Sequence, residues 1–123
     1  MEIDEKGTVL GHQIAETVIR VNRRMTYTSV KKILEDKDPK ECKKYKEFVS
    51  TFECMEELAD CLRQKRRKRG SIDFDFPESK LKLDSNGKPI EIEPYERNKA
   101  TKIIEDFMLI TNETIAEVTV SAI

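Results

Sequence analysis

With 123 residues, 37% of them hydrophobic and 38% charged, the chain has the size of one modest domain or of a piece of one. A mean hydropathy of −0.63, with no apolar run near the ~18 residues of a membrane span, excludes membrane insertion. The 23 basic and 24 acidic residues leave a net charge of −1, so any attraction to a polyanion has to come from local clustering.

The opening reads as strand, turn, strand. Glu5-Lys6-Gly7 supplies the turn, and Thr8 to Arg20 carries Leu10, Ile14 and Val18 with Val9, Ala15 and Ile19 between them. Apolar residues on both faces predict a strand covered on both sides. A short helix is predicted from Tyr27 to Glu35, with Thr26 as its N-cap and Val30, Ile33 and Leu34 as its apolar stripe.

Asp38-Pro39 starts the longest predicted element. The Asp side chain can accept a backbone N–H, and Pro at the first helical position has none to leave unpaired. Lys40 to Arg69 contains neither Pro nor Gly, and Gly70 stands where a left-handed cap belongs. Tyr45, Phe48, Phe52, Met55, Ala59 and Leu62 step by 3, 4, 3, 4 and 3, a heptad-like row.

Ile72 to Phe76 is a short strand candidate ended by Pro77. A hairpin follows, centred on Asn86-Gly87, which favours a two-residue turn with positive φ at both positions. That register pairs Ser85 with Lys88, Leu83 with Ile90 and Leu81 with Ile92. It also sets Lys82 against Glu91 and Lys80 against Glu93, so one face is aliphatic and the other alternates charge. A last helix is predicted over 98–117, with Ala100, Ile103, Ile104, Phe107, Met108, Thr111 and Ile115 buried. The β-branched tail 118–123 is awkward for a helix. The order β-β-α-α-β-β-β-α predicts an α+β fold, mixed or antiparallel sheet elements packed with one long and two shorter helices.

Few residues suggest chemistry. Arg63, Lys65, Arg66, Arg67, Lys68 and Arg69 put six cations into seven residues. Such a run complements a helix C-terminus, and it also suits contact with phosphates. Asp73 and Asp75 alternate on one strand candidate, a weak Mg²⁺ signal for which structural hydrogen bonding is the plainer reading. His12 has no partner motif and reads as a strand residue. Asn98, Glu105 and Asn112, spaced by seven, lie on one stripe of the last helix, which suits a solvated face and a ligand cleft equally. Cys42, Cys54 and Cys61 have no metal spacing and are expected reduced and half-buried in a cytoplasmic protein. The acidic start Met1-Glu2-Ile3-Asp4-Glu5 fits that expectation, since a signal peptide begins basic and turns apolar.

Several segments together resemble the catalytic domain of the ribonuclease II/ribonuclease R exoribonuclease family. They are Ile19-Arg20, Arg24-Met25-Thr26-Tyr27, Arg69-Gly70-Ser71-Ile72-Asp73-Phe74-Asp75 and Pro77-Glu78. Glu96-Arg97-Asn98, Ile104-Glu105-Asp106-Phe107-Met108 and Thr111-Asn112-Glu113-Thr114-Ile115-Ala116-Glu117 continue the likeness in order. It covers residues 1–117, is nearest to the bacterial ribonuclease R branch, and ends where 118–123 departs from the pattern.

The resemblance implies a fragment, residues 1–123, of the catalytic domain of an enzyme that hydrolyses single-stranded RNA from 3′ to 5′ with Mg²⁺. In the family the metal-binding aspartate cluster lies upstream of the matching region, and Asp73 and Asp75 match another motif. No catalytic residue and no bound metal are therefore expected in the fragment, which is expected to be inactive alone. Tyr27 matches an aromatic residue near the RNA 3′ end, and Glu105 a carboxylate beside the terminal nucleotide. Arg66, Arg67 and Arg69 are the expected backbone contacts. Two alternatives stand beside this reading: a dimerisation module built on the row from Tyr45 to Leu62, and a simple RNA-binding module using the basic helix end. Exposed core surface would also favour self-association.

Overall fold

A computed structural model describes residues 1–72, 79–94 and 97–121. Strands β1 (Glu2–Ile3) and β2 (Val9–Gly11) form an antiparallel pair, with Ile3 opposite Val9. Their turn is built on Asp4, whose Oδ1 accepts the N–H groups of Lys6 (2.9 Å) and Thr8 (2.7 Å). The Thr8 N–H above all holds the Asp4 carboxyl below its ordinary value. Gly7 sits at φ +73°, and a Cβ there would lie 3.4 Å from Cys61 Sγ and Leu62 Cδ2, so the turn is seated closely on the neighbouring helix.

The strand expected over 8–20 stops at Gly11. Ile14, Val18, Ile19 and Val21 are exposed and outside regular structure. A strand apolar on both faces needs two covers, and the described residues supply neither. His12 lies in this exposed stretch.

Helix α1 (Tyr27–Leu34) starts at the Thr26 cap, whose hydroxyl accepts the Ser29 N–H at 3.2 Å. Ile33 and Leu34 are fully buried. Helix α2 (Pro39–Lys44) begins at Asp38, which accepts from Lys40 N at 2.8 Å. The single helix expected over 40–69 is broken at Tyr45, which leaves the helical region at φ −115°, ψ 30°. Helix α3 (Lys46–Lys68) then ends in a left-handed cap: Gly70, at φ +92°, donates to Arg67 O, and Ser71 donates to Arg66 O.

The heptad-like row is buried inside the chain itself. Phe52, Ala59 and Leu62 are buried, and Phe52 and Ala59 join Ile33, Leu34 and Ile103 in one core with Phe48, Met55 and Phe107 packed against it. A dimerisation module would need that face outward.

Strands β3 (Ser79–Leu83) and β4 (Pro89–Pro94) pair antiparallel, with Lys80–Glu93, Leu81–Ile92 and Lys82–Glu91 in the expected register. The loop differs. Leu83 faces Pro89, and among non-glycine residues only Lys37 has positive φ in the described chain, so Asn86 is not in a two-residue primed turn. The Asp84 carboxylate accepts from Asn86 N and Lys88 N, and Gly87 (φ +79°) donates to Asp84 O, which makes a longer turn with glycine at its left-handed position. The aliphatic face of this hairpin is exposed, and β3 and β4 contact only each other among the described elements. Asp73, Asp75 and most of the strand candidate at 72–76 lie outside the described residues.

Helix α4 (Lys99–Ser121) is as long as α3 and takes in residues 118–121 of the β-branched tail expected to resist helix. Thr111, Thr114 and Thr119 turn their hydroxyls back onto the carbonyls four residues earlier, which fits this residue type into a helix. The fold is α+β as expected, but with two long helices and two short ones. The buried face of α4 also differs from the expected stripe. It carries Ala100, Ile103, Asp106 and Thr114, while Ile104, Met108 and Ile115 are exposed. Among the described residues no helix is long and apolar enough to cross a membrane.

Candidate nucleic-acid interface

Helices α3 and α4 run parallel, and their register is written in charge. Glu56 pairs with Lys99, Arg63 with Asp106, and Arg69 with Glu113 at 2.7 Å. Asp106 is the centre of this row. It is 1% exposed, and its two oxygens are taken by different guanidiniums, Oδ2 by Arg63 and Oδ1 by Arg66 at 2.6 Å. The bond to Glu113 holds the Arg69 guanidinium above its ordinary value, and the bond to Glu56 does the same for the Lys99 ammonium.

This arrangement sorts the basic end of α3. Arg66 is committed to the buried carboxylate and is only 18% exposed. That contact gives Arg66 a packing role between the two helices. Lys65 reaches back to the first turn, donating to Gly7 O at 2.9 Å and to Thr8 Oγ1 at 3.2 Å. Arg69 is bonded to Glu113 in an exposed pair, the kind that contributes little and exchanges readily. Arg67 and Lys68 are exposed and make no ion pair among the described residues. Between these groups and α4 lies a cleft of about 180 Å³, floored by Val9, Leu62 and Ile110 and edged by Arg69 and Glu113.

Tyr27 is the first residue of α1 and is 47% exposed, so its ring is accessible rather than packed into the core. Glu105 is half-buried, and Arg97 Nη2 binds both of its oxygens at 3.1 and 3.2 Å. Helices α1 and α4 pack against each other, and Lys99 N donates to Glu35 Oε1 at 2.6 Å where they meet. The two residues thus stand on adjoining helices. The other members of the seven-spaced stripe do separate things. Asn98 caps α4, its Oδ1 accepting Thr101 N at 3.1 Å, and Asn112 is exposed.

Asp106 escaped the sequence reading, although a signal for it was present. Lys99, Asp106 and Glu113 are spaced by seven, one residue out of phase with the stripe singled out above, and they oppose Glu56, Arg63 and Arg69 in sign. Among the described residues no group of three or more His, Cys, Asp or Glu is placed to hold a metal ion. The three cysteines are free, with Cys54 exposed and Cys42 and Cys61 partly covered.

The RNB domain family model matches residues 1–122. Ribonuclease R of Thermotoga maritima is 43% identical over 119 residues, which cover 96% of this chain and 16% of that protein. Ribonuclease R of Aquifex aeolicus is 42% identical over 116 residues, covering 94% of this chain and 16% of that protein. Among solved structures, Mycoplasma genitalium RNase R in complex with ribose methylated single-stranded RNA superposes with a TM-score of 0.66 at 30% identity, over 78% of this chain and 15% of that one. The chain therefore spans about a sixth of the length of the relatives it matches. A family match along essentially the whole sequence, carried by an α+β arrangement with the same solved counterparts, makes this chain a member of the RNB domain family.

Proposed function

We propose that this chain is a segment of a 3′-to-5′ exoribonuclease acting on single-stranded RNA in the cytoplasm, and that it contributes contacts to the RNA. Tyr27 offers a ring to a base near the 3′ end, Glu105 an acceptor to the terminal sugar, and Arg67 with Arg69 positive charge to the backbone. The observation that carries this reading is the RNB domain match over residues 1–122, with Tyr27 accessible on a helix that adjoins the one bearing Glu105. In that enzyme Mg²⁺ supplies the activated water and the charge stabilisation for phosphodiester hydrolysis. The chain's own part is to bind and orient RNA.

Two outcomes are expected of the purified 123-residue chain. It binds a short uridine oligomer at low salt, and it releases no mononucleotide from 3′-labelled single-stranded RNA with Mg²⁺. Absence of any binding would sink the RNA-contact reading. Hydrolysis that survives further purification and disappears in the Asp73→Asn/Asp75→Asn variant would instead make that pair a metal site. The exposed aliphatic faces of the hairpin and of α4, through Leu81, Ile92, Ile104 and Met108, also support self-association of the isolated chain. Light scattering at rising concentration is expected to report species larger than a monomer; a strict monomer at the highest concentration would exclude it.

A further inference from the structure

The cations of this chain gather at both ends of α3, and only one end was conspicuous in the sequence. Four of the six in the C-terminal run already have partners: Arg63 and Arg66 on Asp106, Arg69 on Glu113, and Lys65 on Gly7 and Thr8. The other end lies about 35 Å away along a 23-residue helix. There Tyr45 joins α2 to α3 with its side chain partly covered. Arg23 Cζ lies 5.9 Å from the centroid of its ring and Lys44 Nζ 4.8 Å from it, so two cations share one aromatic surface.

The surroundings of this pair balance its charge only in part. Neither Arg23 nor Lys44 forms an ion pair among the described residues, and both are exposed. Their chain neighbours Arg24 and Lys43 are exposed as well, and Arg20, also exposed, precedes Arg23 by three residues. The Tyr45 side chain raises the Lys44 ammonium above its ordinary value, Glu41 adds to this and Arg23 opposes it, so Lys44 stays charged beside a second cation. Glu41, the acid that acts on Lys44, is itself half-buried. Two cations gathered on one ring present their charge together, so an anion placed between them is attracted by both.

We propose that Arg23 and Lys44, held on Tyr45 and flanked by Arg24 and Lys43, form a phosphate-contact site for single-stranded RNA, separate from the basic end of α3. The proposal rests on the RNA-binding reading above and adds a location to it. Position favours this ligand. Arg23 precedes Tyr27 by four residues, so no more than about 14 Å of chain separates them. A strand whose terminal base stacks on Tyr27 therefore has its next phosphates within reach of the cluster. An accessible aromatic beside a row of cations is also the composition that single-strand binding uses.

The test is a salt titration of binding to a fluorescent uridine oligomer, comparing the 123-residue chain with Arg23→Gln/Lys44→Gln. Each phosphate contact to a single strand contributes about 0.7 to the slope of log affinity against log salt, so the double variant should flatten the slope by about 1.4. Arg23→Lys should keep the parent slope. Both side chains are exposed, so thermal unfolding of the variants should match the parent. Amide shifts in a ¹⁵N correlation spectrum, recorded on adding the oligomer, should appear at 20–24 and 43–46. An unchanged slope together with shifts confined to 63–69 overturns the proposal and leaves the RNA-binding reading standing. Loss of all binding in the parent chain overturns both.

Discussion

Replacing Asp106 by alanine is expected to cost about 3–5 kcal/mol of folding stability, more than any other single charge change among the described residues. The reason is burial on both sides of the contact. Asp106 is 2% exposed at its side chain, and Arg63 and Arg66 are only 17% and 18% exposed. Without the carboxylate, two guanidiniums are left close together, largely out of water and uncompensated. A domain of ordinary stability holds about 5–15 kcal/mol in total, so the variant should lose a third or more of it. Urea denaturation of the purified chain measures this as a fall in the midpoint at constant slope. Asp60→Ala supplies the control. Its bond to Arg63 is 3.3 Å long and exposed on the carboxylate side, so it should change stability by well under 1 kcal/mol. An Asp106→Ala midpoint close to that of Asp60→Ala would mean that apolar packing, rather than this pair, sets the register of α3 on α4.

The same residue shows what was legible in the sequence and what was not. Local start and stop signals were readable because their partners lie within four residues: Thr26, Asp38-Pro39 and Gly70 each do what their chemistry dictates. The hairpin register was readable for three pairs, since cross-strand charge and aliphatic pairing agree on it. Its loop was not, because Asp84 offers its carboxylate to two backbone N–H groups and draws the turn into a longer form. Nor was the break at Tyr45, where no Gly or Pro interrupts the row and the ring is engaged by Arg23 and Lys44 instead. Hydrophobic periodicity placed the buried face of α4 too far round, because it counts every aspartate as solvent-facing. Asp106 is buried only because two arginines on another helix meet it, and that information is tertiary.

For the proposed RNA contacts, sequence and structure divide the work differently. Tyr27 and Glu105 could be named only through family motifs, since an aromatic in a first helical turn and a helix glutamate are ordinary on their own. What the fold adds is that one ring is accessible and that the glutamate is oriented by Arg97. Conversely, the dense basic run drew attention through composition alone, and most of its charge turns out to join α3 to α4 and to the first turn. Clustering along the chain measures charge density. Availability to a phosphate depends on which carboxylates the fold brings opposite.

In a full-length RNB domain protein carrying this segment, Tyr27→Ala/Glu105→Ala is expected to weaken the hold on the RNA 3′ end by about 2.5–6 kcal/mol. Stacking of a base on an aromatic ring contributes about 1–3 kcal/mol. A hydrogen bond to a charged group contributes about 1.5–3 kcal/mol. The two contributions should add, because the residues stand on different helices and no hydrogen bond between them is present. The combined loss corresponds to on the order of 10²–10⁴ in retention of the last nucleotides. It should appear as longer end products, while long RNA is still bound and still shortened. The single variants carry different signatures. The Tyr27→Ala defect should persist unchanged as salt is raised, since stacking is neutral. The Glu105→Ala defect should shrink on a substrate whose terminal nucleotide lacks its 2′-hydroxyl, because that substrate has already lost a group for the carboxylate to bind. Folding should be spared in both, as Tyr27 is exposed and Glu105 is paired at the surface with Arg97. Should both single variants and the double variant give the parent's end products and rates, Tyr27 and Glu105 are structural residues, and contact with the RNA 3′ end has to be sought elsewhere in the domain.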